Sequence, residues 1–229
     1  MVIEDVGSNP ERLAAAIHTQ LELEIGSVPV HSIATALDIQ EIRTEPLDNI
    51  EGALITTPER GVGSILVNRN SSRQRRRFTM VHELGHFLNP WHQPATPEGF
   101  RCSRSDMIQS DLQHKNLYLR QEAEANTFAI ELLAPRKLVR RYAVGAPDLD
   151  RVIEMATALD ISKEASARRY VALHSDKLAV VFSKEGRVRY VCRANDFPWL
   201  TARTGDLLPA LPHPDSDDKP YPAQSVPCS

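Results

Sequence analysis

The sequence predicts an α+β chain, and three features carry that prediction. Residues 50–57 and 63–68 are short apolar-rich runs joined by the turn-forming segment 58–62, the pattern of two neighbouring strands. Residues 77–88 follow as an apolar-patterned helix, and a second strong helical run begins near Leu117 and continues to Leu133.

Taken in order, the chain opens with a helix over about 9–24. Asn9 is its N-cap, Pro10 its first position and Gly26 its stop, and Leu13, Ala16, Ile17, Leu21 and Leu23 recur at helical spacing. A short helix after Pro29 uses Ile33, Ala34 and Leu37. After the strand pair, Ser71-Ser72-Arg73-Gln74-Arg75-Arg76-Arg77 leads into the next helix, with a serine cap. Its four arginines oppose the helix dipole, so they must be solvated or paired with carboxylates. Asn89-Pro90 ends that helix, because proline cannot continue it. Residues 91–111, with Pro94, Pro97 and Gly99, read as loop, and Ala134-Pro135 closes the 117–133 helix before a short one over 136–142. Two helical runs, 152–159 and 162–173, and a hairpin of 178–182 with 188–192 follow. Seven of the 16 prolines fall in residues 198–229, which marks an extended or disordered tail. The expected organisation is a core with N-terminal helices (1–143), a helical pair plus hairpin (144–196) and the proline-rich tail (197–229).

Composition removes several function classes. A length of 229 residues with 41% hydrophobic content supports one good core and a small second module. A net charge of -3 gives no global attraction to nucleic acid or anionic membrane. Glu4 and Asp5 stand where a signal peptide would be basic, and no apolar run approaches the ~18–20 residues of a membrane span. Cys102, Cys192 and Cys228 are odd in number and far apart, unlike a disulfide framework or a cysteine-based zinc site. The expectation is a reducing, cytoplasmic setting.

The chemistry lies in His82-Glu83-Leu84-Gly85-His86. At about 100° per residue the two histidines lie roughly 40° apart, one turn from each other on one helix face. Both imidazoles can therefore reach one metal ion at about 2.0–2.1 Å. Glu83 is placed to take a proton from an activated water rather than to bind the ion. Met80, Val81, Leu84, Phe87 and Leu88 fill the other sides of the helix, as a buried site requires. Ser64–Asn68, a strand next to such a helix, is expected to hold a substrate backbone by edge pairing.

A catalytic site of this kind needs a third protein ligand, and two residues compete for the place. His92 completes His82-x3-His86-x5-His92, a metzincin spacing with Asn89 where glycine is preferred and Met107 as its Met-turn. Pro90 constrains Asn89, which counts against it. Glu122, in Glu122-Ala123-Glu124-Ala125-Asn126-Thr127-Phe128-Ala129, is the preferred ligand. Asn126 lies one turn away on the same face to steady a histidine ring, whereas Glu124 points about 200° away. His92, His114 and Tyr118 are then candidate hydrogen-bond donors to an oxyanion.

Arg77-Phe78-Thr79-x-x-His-Glu-Leu-Gly-His, followed by Glu122-x-x-x-Asn-x-Phe-Ala-x-x-Leu-Leu-x-Pro135, resembles the ImmA/IrrE family of bacterial metallopeptidases over about residues 30–142. The resemblance implies a zincin-like core and a gluzincin-like zinc endopeptidase, with manganese the alternative ion. It further implies His82, His86 and Glu122 as ligands, Glu83 as base, a cytoplasmic location and a helix-turn-helix repressor of stress-response or mobile-element genes as protein substrate. Ala134 stands where the family often has methionine.

Two rival readings remain at this level. The helices over 152–159 and 162–171, with Lys163, Arg168 and Arg169, are compatible with a helix-turn-helix and so with a metal-containing DNA-binding regulator. The other rival is a sensor with little turnover, its open metal position taken by a thiolate from Cys228 on the proline-rich tail.

Overall fold

The computed structural model describes residues 6–21, 26–57, 59–94, 99–108, 110–113, 115–198 and 200–208. His114, Cys228 and the tail beyond 208 lie outside the described residues, as do Leu23, Pro58 and Pro97. The chain is a mixed α+β protein of the zincin-like type, with a small mixed sheet, seven helices and a separate β-hairpin among the described residues. It divides into two compact units, 1–135 with 159–162, and 136–158 with 163–229. None of its described helices is long and apolar enough to cross a membrane.

In the first unit, α1 (Pro10–Leu21) and α2 (Val30–Ala36) precede β1 (Ile39–Glu45), β2 (Gly52–Thr56) and β3 (Gly63–Asn68). Then come α3 (Arg73–Leu88), β4 (Phe100–Cys102), a 3-10 turn (Asp106–Ile108) and α4 (Leu117–Leu133). The sheet order is β1-β3-β2-β4. β1 runs parallel to β3, with Ile42 opposite Ile65, and β2 runs antiparallel to both β3 and β4. β3 is therefore paired along both sides, and the expectation that Ser64–Asn68 offers an edge to substrate is wrong. The sheet's edges are β1 and β4. Neither was expected as a strand: β1, Ile-Gln-Glu-Ile-Arg-Thr-Glu, is mostly exposed and lacks apolar alternation, and β4 has only three residues.

α3 lies between this sheet and α4, and Gly85 sets how closely the two helices meet. A Cβ there would stand 2.9 Å from Phe128 Cδ1 and 3.3 Å from the Ala125 backbone. Ala125 and Ala129, fully buried on α4, complete the close approach. The exposed start of α3 is capped by Ser72, whose Oγ accepts from the Arg75 N–H at 3.2 Å. Its arginines all have partners. Arg73 and Arg77 bind Asp160 at 2.8 and 3.1 Å, Arg76 donates to the Arg69 and Ser71 carbonyls, and Arg75 lies 5.9 Å from the Phe78 ring centroid.

The second unit holds α5 (Arg136–Val139), all but the last residue of α6 (Leu149–Leu159), α7 (Lys163–Leu173), β5 (Ala179–Lys184) and β6 (Arg187–Arg193). Glu185 and Gly186 both have positive φ, 53° and 71°, as a two-residue type I′ hairpin turn demands. Residues 205–208 fold back on that hairpin: the Val188 N–H donates to Asp206 O and the Leu208 N–H to Gly186 O, each at 2.8 Å.

Candidate metal centre

From Thr79 to Phe87 every residue of α3 is buried, and His82, Glu83 and His86 have no exposed surface at all. The one-turn spacing turns both imidazoles the same way, so that their Nε2 atoms stand 3.1 Å apart. Glu122, one turn before Asn126 on α4, places Oε2 3.2 Å from His82 Nε2 and Oε1 3.4 Å from His86 Nε2.

The surrounding hydrogen bonds decide what those nitrogens offer. Asn126 donates through Nδ2 to the Asp106 carbonyl at 2.8 Å, which leaves Oδ1 to accept from His82 Nδ1 at 2.8 Å. His82 therefore presents an Nε2 lone pair. On the other ring, the Glu124 carboxylate can only accept, so the His92 Nε2–H donates to it at 2.9 Å. Burial keeps the His92 pKa below its usual value, so the ring is neutral and its Nδ1 accepts from the His86 Nδ1–H at 2.9 Å. His86 too is left with an Nε2 lone pair. Two lone pairs and a carboxylate thus face one point in a dry interior, an arrangement that repels itself unless a cation sits there.

The donor set fits a divalent ion. Tetrahedral ligands at ~2.0–2.1 Å stand about 3.3 Å apart, close to the spacings above. Cys102 belongs to the same group: its Sγ lies 3.2 Å from His82 Nε2 and 3.7 Å from His86 Nε2, and the four donors lie within 4.8 Å of one another. Electrostatics agree. Burial holds the His86 pKa down at about 3. Burial also opposes a charge on His82, yet the Glu122 and Glu83 carboxylates outweigh it and raise the pKa. Burial would likewise raise Glu122, but the two imidazoles hold it well below the usual carboxylate range. The cluster thus seeks one positive charge.

Glu83 is the other unusual group. Both its oxygens are buried without a hydrogen-bond partner. Burial, with the Glu122 carboxylate adding to it, pushes its pKa up to about 8. A nearby cation would bring that value back down and restore the carboxylate. Gly52 on β2 makes the room: a Cβ there would meet Thr79 Cγ2 at 2.2 Å and Glu83 Oε1 at 2.9 Å.

The remaining predicted residues separate. Both ring nitrogens of His92 are taken, by His86 and Glu124, so the ring supports His86 and offers no free nitrogen to the cluster. Tyr118 is half-buried one turn before Glu122, and burial, then Glu122 and Asp106, raise its hydroxyl pKa. His114 lies outside the described residues. Three participants were missed. Glu124 points towards His92 and not to the point that Glu122 faces. Cys102 arrives on a strand too short to show periodicity, and no spacing rule ties it to His86. Arg60, from the β2–β3 turn, donates Nη1 to the His86 carbonyl at 2.6 Å and to the Asn89 carbonyl, and Nη2 to the His92 carbonyl. It thereby satisfies the carbonyls that end α3, where a cation also suits the helix dipole.

A small mixed sheet over a buried His-Glu-x-x-His helix, with a second helix packed beside it, places the protein among the zincin-like metallopeptidases. More narrowly, the chain belongs to the Peptidase_M78 family, described as the IrrE N-terminal-like domain, whose profile matches residues 36–170. This supports the ImmA/IrrE assignment that the two motifs imply. No curated protein matches the chain.

Proposed function

We propose that the protein is an endopeptidase whose resident ion, zinc or else manganese, is held by His82, His86 and Glu122, with Glu83 as general base. The observation that carries this is the convergence of two imidazole lone pairs and a buried carboxylate beside a second, unpartnered carboxylate. A bound divalent ion supplies Lewis acidity, making water a nucleophile near neutral pH and polarising a carbonyl. Glu83 takes the proton of the attacking water and passes it to the leaving amine. Asn126, and His92 with Glu124 behind it, keep the two imidazoles in one tautomer and orientation. Tyr118, with its hydroxyl protonated, is the candidate donor to the oxyanion. A substrate strand would pair along β4, which lies at the edge of the sheet with β2 as its neighbour.

The family resemblance supports a protein substrate, a helix-turn-helix repressor of stress-response or mobile-element genes, met in the cytoplasm. For the DNA-binding alternative, Arg168 is exposed and paired with Glu164 at 3.1 Å, whereas Arg169 is buried and turned from any phosphate backbone. Purified protein loaded with zinc or manganese should cleave a repressor encoded beside its gene, and Glu83→Gln should not. Equal cleavage by that variant refutes the base assignment.

A further inference from the structure

Cys102 has no part in the mechanism above, yet its sulfur lies inside the cluster that the mechanism uses. It sits on edge strand β4, fully buried, with the Glu83 carboxylate beside it. Its sulfur faces the two Nε2 lone pairs at 3.2 and 3.7 Å. A thiolate at ~2.3 Å and an imidazole at ~2.0–2.1 Å from one tetrahedral ion stand about 3.5 Å apart, midway between those two distances. A second observation points to the same place: Glu122 Oε2, almost wholly buried and 3.2 Å from His82 Nε2, has no hydrogen-bond partner. Three protein ligands leave an ion a vacancy for water, whereas four close it. Here a fourth donor is already inside the cluster.

We propose that Cys102 is a fourth ligand of this centre, so that the resting site is closed and opens to water only when a substrate strand engaging β4 draws the thiolate away. The proposal rests on the metal-binding reading above. Ligation exchanges the thiol proton for a metal–sulfur bond, and the proton is released to solvent. Displacement reverses the exchange as a water takes the vacated position. Because β4 has three residues and pairs with β2, a shift of this short strand would be enough to withdraw the sulfur.

Cobalt(II) tests this, since it reports a thiolate ligand by a sulfur-to-metal charge-transfer absorption that nitrogen and oxygen ligands do not give. The full chain carrying Cys192→Ser and Cys228→Ser keeps Cys102 as its sole thiol and should show both the visible bands of a tetrahedral ion and the charge-transfer band. Cys102→Ser and Cys102→Ala should keep the visible bands, lose the charge-transfer band completely and become open to azide, which shifts their visible spectrum but not that of wild type. Visible bands without charge transfer in the double variant overturn the thiolate while leaving the metal site standing. No cobalt bands at all overturn both. An azide response equal in wild type and Cys102→Ala contradicts the closed site. If the Cys102 variants fail to fold, the double variant alone still decides the ligation.

Discussion

The two halves of α3 put very different demands on one helix. From Arg73 to Arg77 it is a charged half whose arginines are met by Asp160, by backbone carbonyls and by the Phe78 ring. From Thr79 to Phe87 it is entirely buried and carries two histidines and a glutamate. The first half solves a surface problem: repulsion among like charges and an unfavourable dipole are relieved by partners and water. The second creates a problem that packing cannot solve. Burying such groups costs several kcal/mol each unless they are compensated, and Glu83 is left without a hydrogen bond. Polar groups kept in so costly a state mark the half that works, while the more conspicuous run of arginines is structural.

The largest expected contrast is in activity. Glu83→Gln should lower peptide hydrolysis by about 10²–10⁴-fold or more, the range of general acid–base catalysis, while metal content by elemental analysis stays at one ion per chain. Loss of the metal together with activity would make Glu83 a ligand instead. Next, Glu124→Gln or His92→Ala should weaken metal binding by about 10–100-fold in a chelator competition, because the His86 ring is no longer held. An unchanged affinity would reduce the Glu124–His92–His86 chain to packing. Arg60→Ala should cost about 2 kcal/mol in denaturant unfolding, since three backbone carbonyls lose a charged donor. In the charged half, Ser72→Ala should cost about 1 kcal/mol and leave metal affinity untouched. Arg73→Ala, which breaks an exposed ion pair, should stay within about 1 kcal/mol. A large effect of either on metal binding would dissolve the contrast between the halves.

How much of this could be read in the chain follows from the same contrast. The His-Glu-x-x-His helix declares itself because a one-turn histidine spacing is set by helix geometry alone. Glu122 and Asn126 follow because they share one face of a second helix at the same spacing. The hairpin is legible from Glu185-Gly186, and the helix ends from Asn9, Pro10, Ser72 and Pro90. What could not be read is whatever depends on long-range placement. The position of β3 inside the sheet follows from its pairing with β1, whose polar sequence hides a strand. Cys102 reaches the histidines only because β4 pairs with β2, and Arg60 reaches the end of α3 only because its turn leans over it. Glu124 lies off the face that carries Glu122 and Asn126, as the spacing predicts, but its contact with His92 joins distant segments and no spacing rule reveals it.

The most direct test is anomalous diffraction at the zinc edge from crystals of the zinc-loaded protein. One strong peak is expected, about 2.0–2.1 Å from the Nε2 atoms of both His82 and His86 and bonded to a Glu122 oxygen. A peak at His92, or a Glu122 carboxylate swung away from the ion, would contradict that assignment.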